Sequence, residues 1–150
     1  MKTLIVEDDF TSRLLLQELL KSYGESHVAV NGKEAVEAVG AALEGGEPYD
    51  LVCLDIMMPE MDGQEALKRI RAMEEEAGLS GPDRVKIIMT TALSDRDIVV
   101  ESANAQCDKY IIKPIDKAKF LEVLCQLGLL LSGMRYDEKG RLRWGNRPGD

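Results

Sequence analysis

Short apolar runs alternate along this chain with longer stretches in which apolar residues return every three or four positions. Thr3 to Val6 is such a run, of the kind that forms a strand buried on both faces, and it stops at Glu7-Asp8-Asp9. From Thr11 to Tyr23, Leu14, Leu15, Leu16, Leu19 and Leu20 recur at helical spacing, and Gly24 closes the segment. His27 to Val30 predicts a weaker second strand. Asn31-Gly32 opens a helix with Ala35, Val36, Val39 and Leu43 on one face, stopped by Gly45-Gly46 and Pro48. Leu51 to Leu54 predicts a third strand ending at Asp55. A loop with Pro59 and Asp62-Gly63 leads into a helix through Ala66, Leu67, Ile70 and Met73, whose Glu74-Glu75-Glu76 reads as a solvated end. Leu79 to Asp83 is turn-like. Val85 to Met89 predicts a fourth strand, followed by Thr90-Thr91-Ala92. Ser94 and Asp97 could cap a helix running to Gln106. Tyr110 to Ile112 predicts a fifth strand closed by Lys113-Pro114, and Asp116 caps a last helix through Phe120, Leu121, Leu124, Leu127 and Leu131.

Five strands, each followed by a helix over short connections, require a parallel sheet with right-handed crossovers. The prediction is one three-layer α/β domain over residues 1–131, with 132–150 as a flexible tail or the start of a linker. At 150 residues the chain needs no metal or disulfide staple. Its net charge of −8 is uneven: residues 1–131 carry 14 basic and 24 acidic side chains, whereas the tail is basic. An acidic body repels phosphate backbones, so direct nucleic-acid binding is not expected. No apolar run is long enough to span a bilayer, and the three acids after Val6 argue against a secretory signal. Cys53, Cys107 and Cys125 are odd in number, widely spaced and set in apolar surroundings, which suits reduced thiols. A cytoplasmic protein is expected.

In an open parallel sheet ligands bind beyond the carboxyl ends of the strands, where the strand order reverses. Here those ends are polar: Glu7-Asp8-Asp9, Asp55, Thr90-Thr91 and Lys113. If the first and third strands are neighbours, their carboxylates repel by about 4 kcal/mol at 4 Å and an effective dielectric near 20. A raised carboxyl pKa would relieve this, and so would a hard divalent cation such as Mg²⁺. The cation also accounts for Lys113 and Thr91, because an ammonium and a hydroxyl beside it suit phosphoryl oxygens. Asp55 could then act as a nucleophile.

The set Val6-Glu7-Asp8, Asp55 to Gly63, Thr91-Ala92 and Lys113-Pro114 resembles the receiver domain of bacterial two-component response regulators, over residues 1–131. The resemblance implies a flavodoxin-like fold, five parallel strands in the order 2-1-3-4-5. It implies that Asp55 is the phosphoacceptor and that Thr91 and Lys113 contact the phosphoryl oxygens. It further implies that Asp8, Asp55 and the backbone carbonyl of Met57 ligate Mg²⁺, with Glu7 acting through water, and that Tyr110 is an aromatic switch coupled to Thr91. The Lys113-Pro114 bond is expected cis. The donor would be the phosphohistidine of a sensor histidine kinase or histidine phosphotransfer protein. The output surface would be the helix after the fourth strand, the fifth strand and the last helix, with Arg96, Glu101, Asn104, Lys117 and Lys119 exposed to a downstream protein target. The protein would be no enzyme in the ordinary sense, catalysing only its own phosphorylation and slow dephosphorylation, as a monomer or a weak phosphorylation-dependent dimer.

Plainer roles compete. Asp9 fits an N-cap better than a ligand. A phosphate-blind interaction module on the same fold remains a second reading, and only phosphorylation at Asp55 separates the two. A dehalogenase-type hydrolase needs a second acid two residues after its nucleophile, and Met57 stands there. In relatives, Met57 and Leu93 correspond to positions that influence water attack on the phosphate. Both are apolar here, which predicts a long-lived phosphorylated state. The 19 residues after Leu131 are too few for an output domain, so the chain would act by docking or relay, or be part of a longer protein.

Overall fold

The computed structural model describes residues 1–58, 60–92, 107–130, 134–136 and 142–144. Strands β1 (Thr3–Val6), β2 (Ser26–Ala29), β3 (Leu51–Asp55), β4 (Lys86–Thr91) and β5 (Lys109–Ile112) pair in parallel in the order β2-β1-β3-β4-β5. Successive residues of each strand point to opposite faces, and each face has its own apolar layer. Helices α1 (Phe10–Leu20) and α4 (Lys117–Gln126) cover one face, where Leu16, Leu20, Phe120 and Leu124 pack on Ile5, Cys53 and Ile88. Helices α2 (Gly32–Glu44) and α3 (Gly63–Glu76) cover the other, where Ala35, Val39, Leu67 and Ile70 pack on Leu4, Val6, Val52, Leu54 and Met89. The helix expected over 94–106 lies outside the described residues. No described helix is long and apolar enough to cross a membrane.

The caps account for the helix limits. Asp9, Asn31, Asp62 and Asp116 each accept a hydrogen bond from a backbone N–H in the first turn of α1, α2, α3 and α4. The last helix stops at Gln126, short of the expected Leu131. Gly128, at φ 75°, adopts the left-handed conformation that only glycine takes freely, and Leu129 N–H turns back to Leu124 O at 3.0 Å. The first helix likewise ends at Leu20 and tightens into a 3-10 turn over Lys21–Tyr23. Within 132–150, β6 (Met134–Tyr136) and β7 (Leu142–Trp144) pair antiparallel, a hairpin that the hydrophobic pattern did not predict.

Glu74 corrects the reading of its helix end as solvated: it is 1% exposed, while Glu75 and Glu76 face solvent. Its carboxylate accepts from Arg71 Nη1 at 2.7 Å and from Val85 N–H at 2.7 Å. Arg71 also donates to Val85 O at 2.8 Å and to Asp108 at 2.8 Å, and Asp108 accepts from Ile87 N–H at 2.8 Å. Partner for partner, the charges removed from water are recovered, and α3 is tied to the starts of β4 and β5.

Candidate functional site

The order in which strands are added to the sheet reverses at the β1/β3 pair, and a crevice opens beyond their carboxyl ends. Glu7 and Asp8 follow β1 and Asp55 ends β3. Glu7 and Asp55 are 1% and 4% exposed, whereas Asp8 faces solvent. One carboxylate oxygen from each of the three lies within 4.8 Å of the others. Lys113, the residue after β5, reaches across with its Nζ, which donates to both Glu7 oxygens at 3.0 and 2.9 Å and stands 3.5 Å from Asp55 Oδ2. The Lys113-Pro114 peptide bond is cis, and Lys113 N–H donates to Thr91 O at 2.6 Å.

Local sequence sets this arrangement. Gly63 N–H donates to Ile56 O at 2.9 Å, and a Cβ at Gly63 would come within 2.2 Å of Asp55 O, so the chain after Asp55 can fold back this tightly only over glycine. The far side of that loop is held where Gly32 N–H donates to Met61 O at 3.1 Å. On the β1 side, Arg13 from the first turn of α1 donates to Glu7 O at 3.1 Å. Neither Arg13 nor the Gly63 contact was anticipated. Asp-Gly signalled only a turn, and an arginine six residues after Glu7 reads as a solvated helix residue.

Burial, followed by the Glu7 charge, pushes the Asp55 carboxyl up to about 7 against the pull of Lys113. Burial by itself would lower the Lys113 ammonium, but Glu7 and Asp55 outweigh it and hold the group above its ordinary value. The crevice therefore concentrates more negative charge than one ammonium neutralises. Hard carboxylate oxygens at this spacing fit Mg²⁺, which takes one or two carboxylates and otherwise water and phosphate oxygens.

The other candidates lie around this cluster. Thr91 ends β4, fully buried. Tyr110 is half-buried and packs on the α2/α3 side; by strand alternation and register it shares that face with Met89 and Thr91. Met57 N–H points at Asp55 Oδ1 at a long 3.4 Å, and its side chain is 62% exposed. Asp9 is occupied as the α1 cap, accepting from Ser12 N–H at 2.9 Å. Lys117 and Lys119 are exposed on α4, while Leu93, Arg96, Glu101 and Asn104 lie outside the described residues.

The family model described as the response regulator receiver domain matches residues 3–125. This chain belongs to the response regulator receiver family. It is 34% identical to the chemotaxis protein CheY of Bacillus subtilis over 125 residues, 82% of this chain and 93% of that one. It is 32% identical to the hybrid signal transduction histidine kinase L of Dictyostelium discoideum over 85% of this chain, but spans only 7% of that protein's length. Among solved structures it resembles the CheY of the CheX-CheY-BeF3-Mg²⁺ complex from Borrelia burgdorferi, with a TM-score of 0.72 and 27% identity over 85% of this chain and 89% of that one. It also resembles the receiver domain of the histidine kinase CKI1 from Arabidopsis thaliana complexed with Mg²⁺ and BeF3⁻, with a TM-score of 0.72 and 28% identity over the same shares. The flavodoxin-like order expected from the resemblance is the order found, and Glu7, Asp8 and Asp55 together could hold a metal ion.

Proposed function

We propose that this receiver takes a phosphoryl group onto Asp55 from the phosphohistidine of a partner histidine kinase or phosphotransfer protein, and that another protein reads the modified state. The observation that carries this reading is the convergence of Glu7, Asp8 and Asp55 within 4.8 Å, with Lys113 Nζ 3.5 Å from the Asp55 carboxylate. An Asp55 oxygen attacks phosphorus in line. The new O–P bond forms as the P–N bond breaks, and the imidazole nitrogen leaves with the bonding pair and takes a proton. Mg²⁺, held by Asp8, Asp55 and the Met57 carbonyl with Glu7 acting through water, would supply the positive charge that phosphoryl oxygens need. Lys113 and the Thr91 hydroxyl take those oxygens. Attack of water on phosphorus later breaks the same O–P bond and returns the carboxylate, so the domain catalyses turnover of its own modification and acts on no separate substrate.

The acyl phosphate carries a charge of roughly −2 in place of the carboxylate's single charge, and this draws Thr91 and Lys113 inward. The space near Thr91 then changes for Tyr110 on the shared face, which alters the surface of β5 and α4 offered to a target. Phe10 and Leu14, 67% and 47% exposed on the helix that starts beside the acidic cluster, favour a protein donor over a small molecule alone. The test is an intact mass after treatment with acetyl phosphate and Mg²⁺. The wild type gains one phosphoryl mass, and Asp55→Asn gains none. A wild type that stays unmodified identifies the domain as a phosphate-independent interaction module.

A further inference from the structure

Beyond α4 the chain forms a hairpin for which the chemistry above has no use. β6 and β7 pair antiparallel, with Met134 opposite Trp144, Arg135 opposite Arg143 and Tyr136 opposite Leu142. Residues opposite one another share a face of the ladder, and successive residues alternate between faces. Met134, Tyr136, Leu142 and Trp144 therefore belong to one face, and Arg135 and Arg143 to the other. A two-stranded hairpin alone in water is marginal at best, so an apolar face of this kind needs a second surface against it. β6 runs beside the 3-10 turn over Lys21–Tyr23 that closes α1. Tyr23 is buried there, and Leu19 and Leu20, just before the turn, belong to the apolar layer under α1 and α4. Leu127, Leu129 and Leu130 carry that layer past the end of α4 and are half-buried. Only three residues separate Leu130 from Met134.

We infer that the C-terminal hairpin is a built-in occupant of the receiver's own surface: its apolar face is seated on the Lys21–Tyr23 turn and the leucines after α4, with the arginine face outward. Charge decides which face turns inward. The turn carries Lys21 and no acid, so the opposite orientation would set two guanidiniums against an ammonium. Guanidiniums removed from water without carboxylate partners are costly. Facing outward, Arg135 and Arg143 stay hydrated and give the acidic body a basic patch. The short tether selects the occupant, because a segment held this close reaches its own body at high effective concentration, ahead of any second copy. The seat joins the end of α1 to the end of α4 and withdraws this part of the apolar layer from self-association. It lies at the opposite end of α1 from Glu7 and Asp8, so the acidic crevice stays open. The inference is independent of the reading of Asp55 as phosphoacceptor.

Trp144 is the sole tryptophan, so its fluorescence in the full-length chain reports the seat directly. The emission should be blue-shifted from that of free tryptophan, resist acrylamide quenching, and stay the same over a wide range of protein concentration. Leu142→Asp, which puts a charge on the apolar face, should shift the emission to the red and raise the quenching constant severalfold. Leu142→Met should behave as wild type. Amide hydrogen exchange then locates the seat: Leu142→Asp should speed exchange over Lys21–Tyr23 as well as over β6 and β7, while β1 and β3 keep their protection. Wild-type emission at the position of free tryptophan, or quenching that Leu142→Asp leaves unchanged, overturns the inference, because the segment is then a flexible linker. Emission that shifts to the red on dilution, with a dimer in light scattering, overturns it too, since a second copy is then the occupant. Deprotection of the hairpin with no change over Lys21–Tyr23 places the seat elsewhere and likewise overturns it.

Discussion

Asp55 concentrates the electrostatic conflict of the site in one side chain. Its carboxyl is held at about 7 in the fold against a reference of 3.8, so between those values the native state binds more protons than the unfolded chain. The sign follows: stability of the metal-free protein falls as pH rises from about 4 to about 7, and the whole loss is present above that. Lys113, raised from 10.5, loses its contribution only at more alkaline pH and does not offset this. Asp55→Asn should therefore melt higher than wild type by about 5 °C at pH 8 without Mg²⁺, with the gap closing near pH 5, as read by calorimetric scans at both pH values. Met57 carries a kinetic prediction. On the proposed function its exposed apolar side chain would stand in the path of water to the phosphate, so Met57→Asn should speed loss of the phosphoryl group by severalfold in excess Mg²⁺, and an unchanged decay rate would refute the role. The polar strand ends were visible as residue types in sequence, because charges that terminate apolar runs stand out. Thr90 was not, since a threonine doublet does not show which hydroxyl is without a partner among the described residues.

Among the elements, the turn from β3 into α3 determines whether the acceptor is presented correctly. With its Cβ 2.2 Å from Asp55 O, Gly63→Ala must displace backbone. It should cost about 1–3 kcal/mol in denaturant melts and lower the rate of acetyl phosphate loading, because Asp55 itself is moved. A second element-scale device is the Arg71–Glu74–Asp108 network. Arg71→Met would leave Glu74 and Asp108 without their cation and should destabilise the fold by about 3–5 kcal/mol in the same melts, with Asp55 chemistry intact in the fraction that folds. The strands and caps were readable because each depends on neighbours in sequence. The network was not, because Glu74 is satisfied by Val85 eleven positions on and Arg71 by Asp108 thirty-seven positions on. Likewise β6 and β7 are three residues each, with Arg135 and Arg143 at their centres, too short and too polar for periodicity to register. The last helix was overextended because Leu127, Leu129, Leu130 and Leu131 continue an apolar pattern, while Gly128 ends the backbone regularity.

For the whole molecule, the parallel sheet brings residue 7 beside residue 113 and residue 55 beside both, and the acidic body leaves that crevice short of positive charge. Mg²⁺ at tenfold its dissociation constant should stabilise the protein by about 1.4 kcal/mol, and Asp8→Asn should remove most of that gain in thermal scans. Strand order was accessible in sequence because short strand–helix alternation allows few topologies and the acids of β1 and β3 make sense only as neighbours. The central claim is that phosphate becomes bonded to Asp55 and nowhere else. Borohydride reduces an acyl phosphate to an alcohol and so converts a phosphorylated aspartate into homoserine at its own position. After loading with acetyl phosphate and Mg²⁺, reduction and peptide mapping should find homoserine at position 55 alone. Homoserine at Asp8 or another acid, or none at all, would contradict the account.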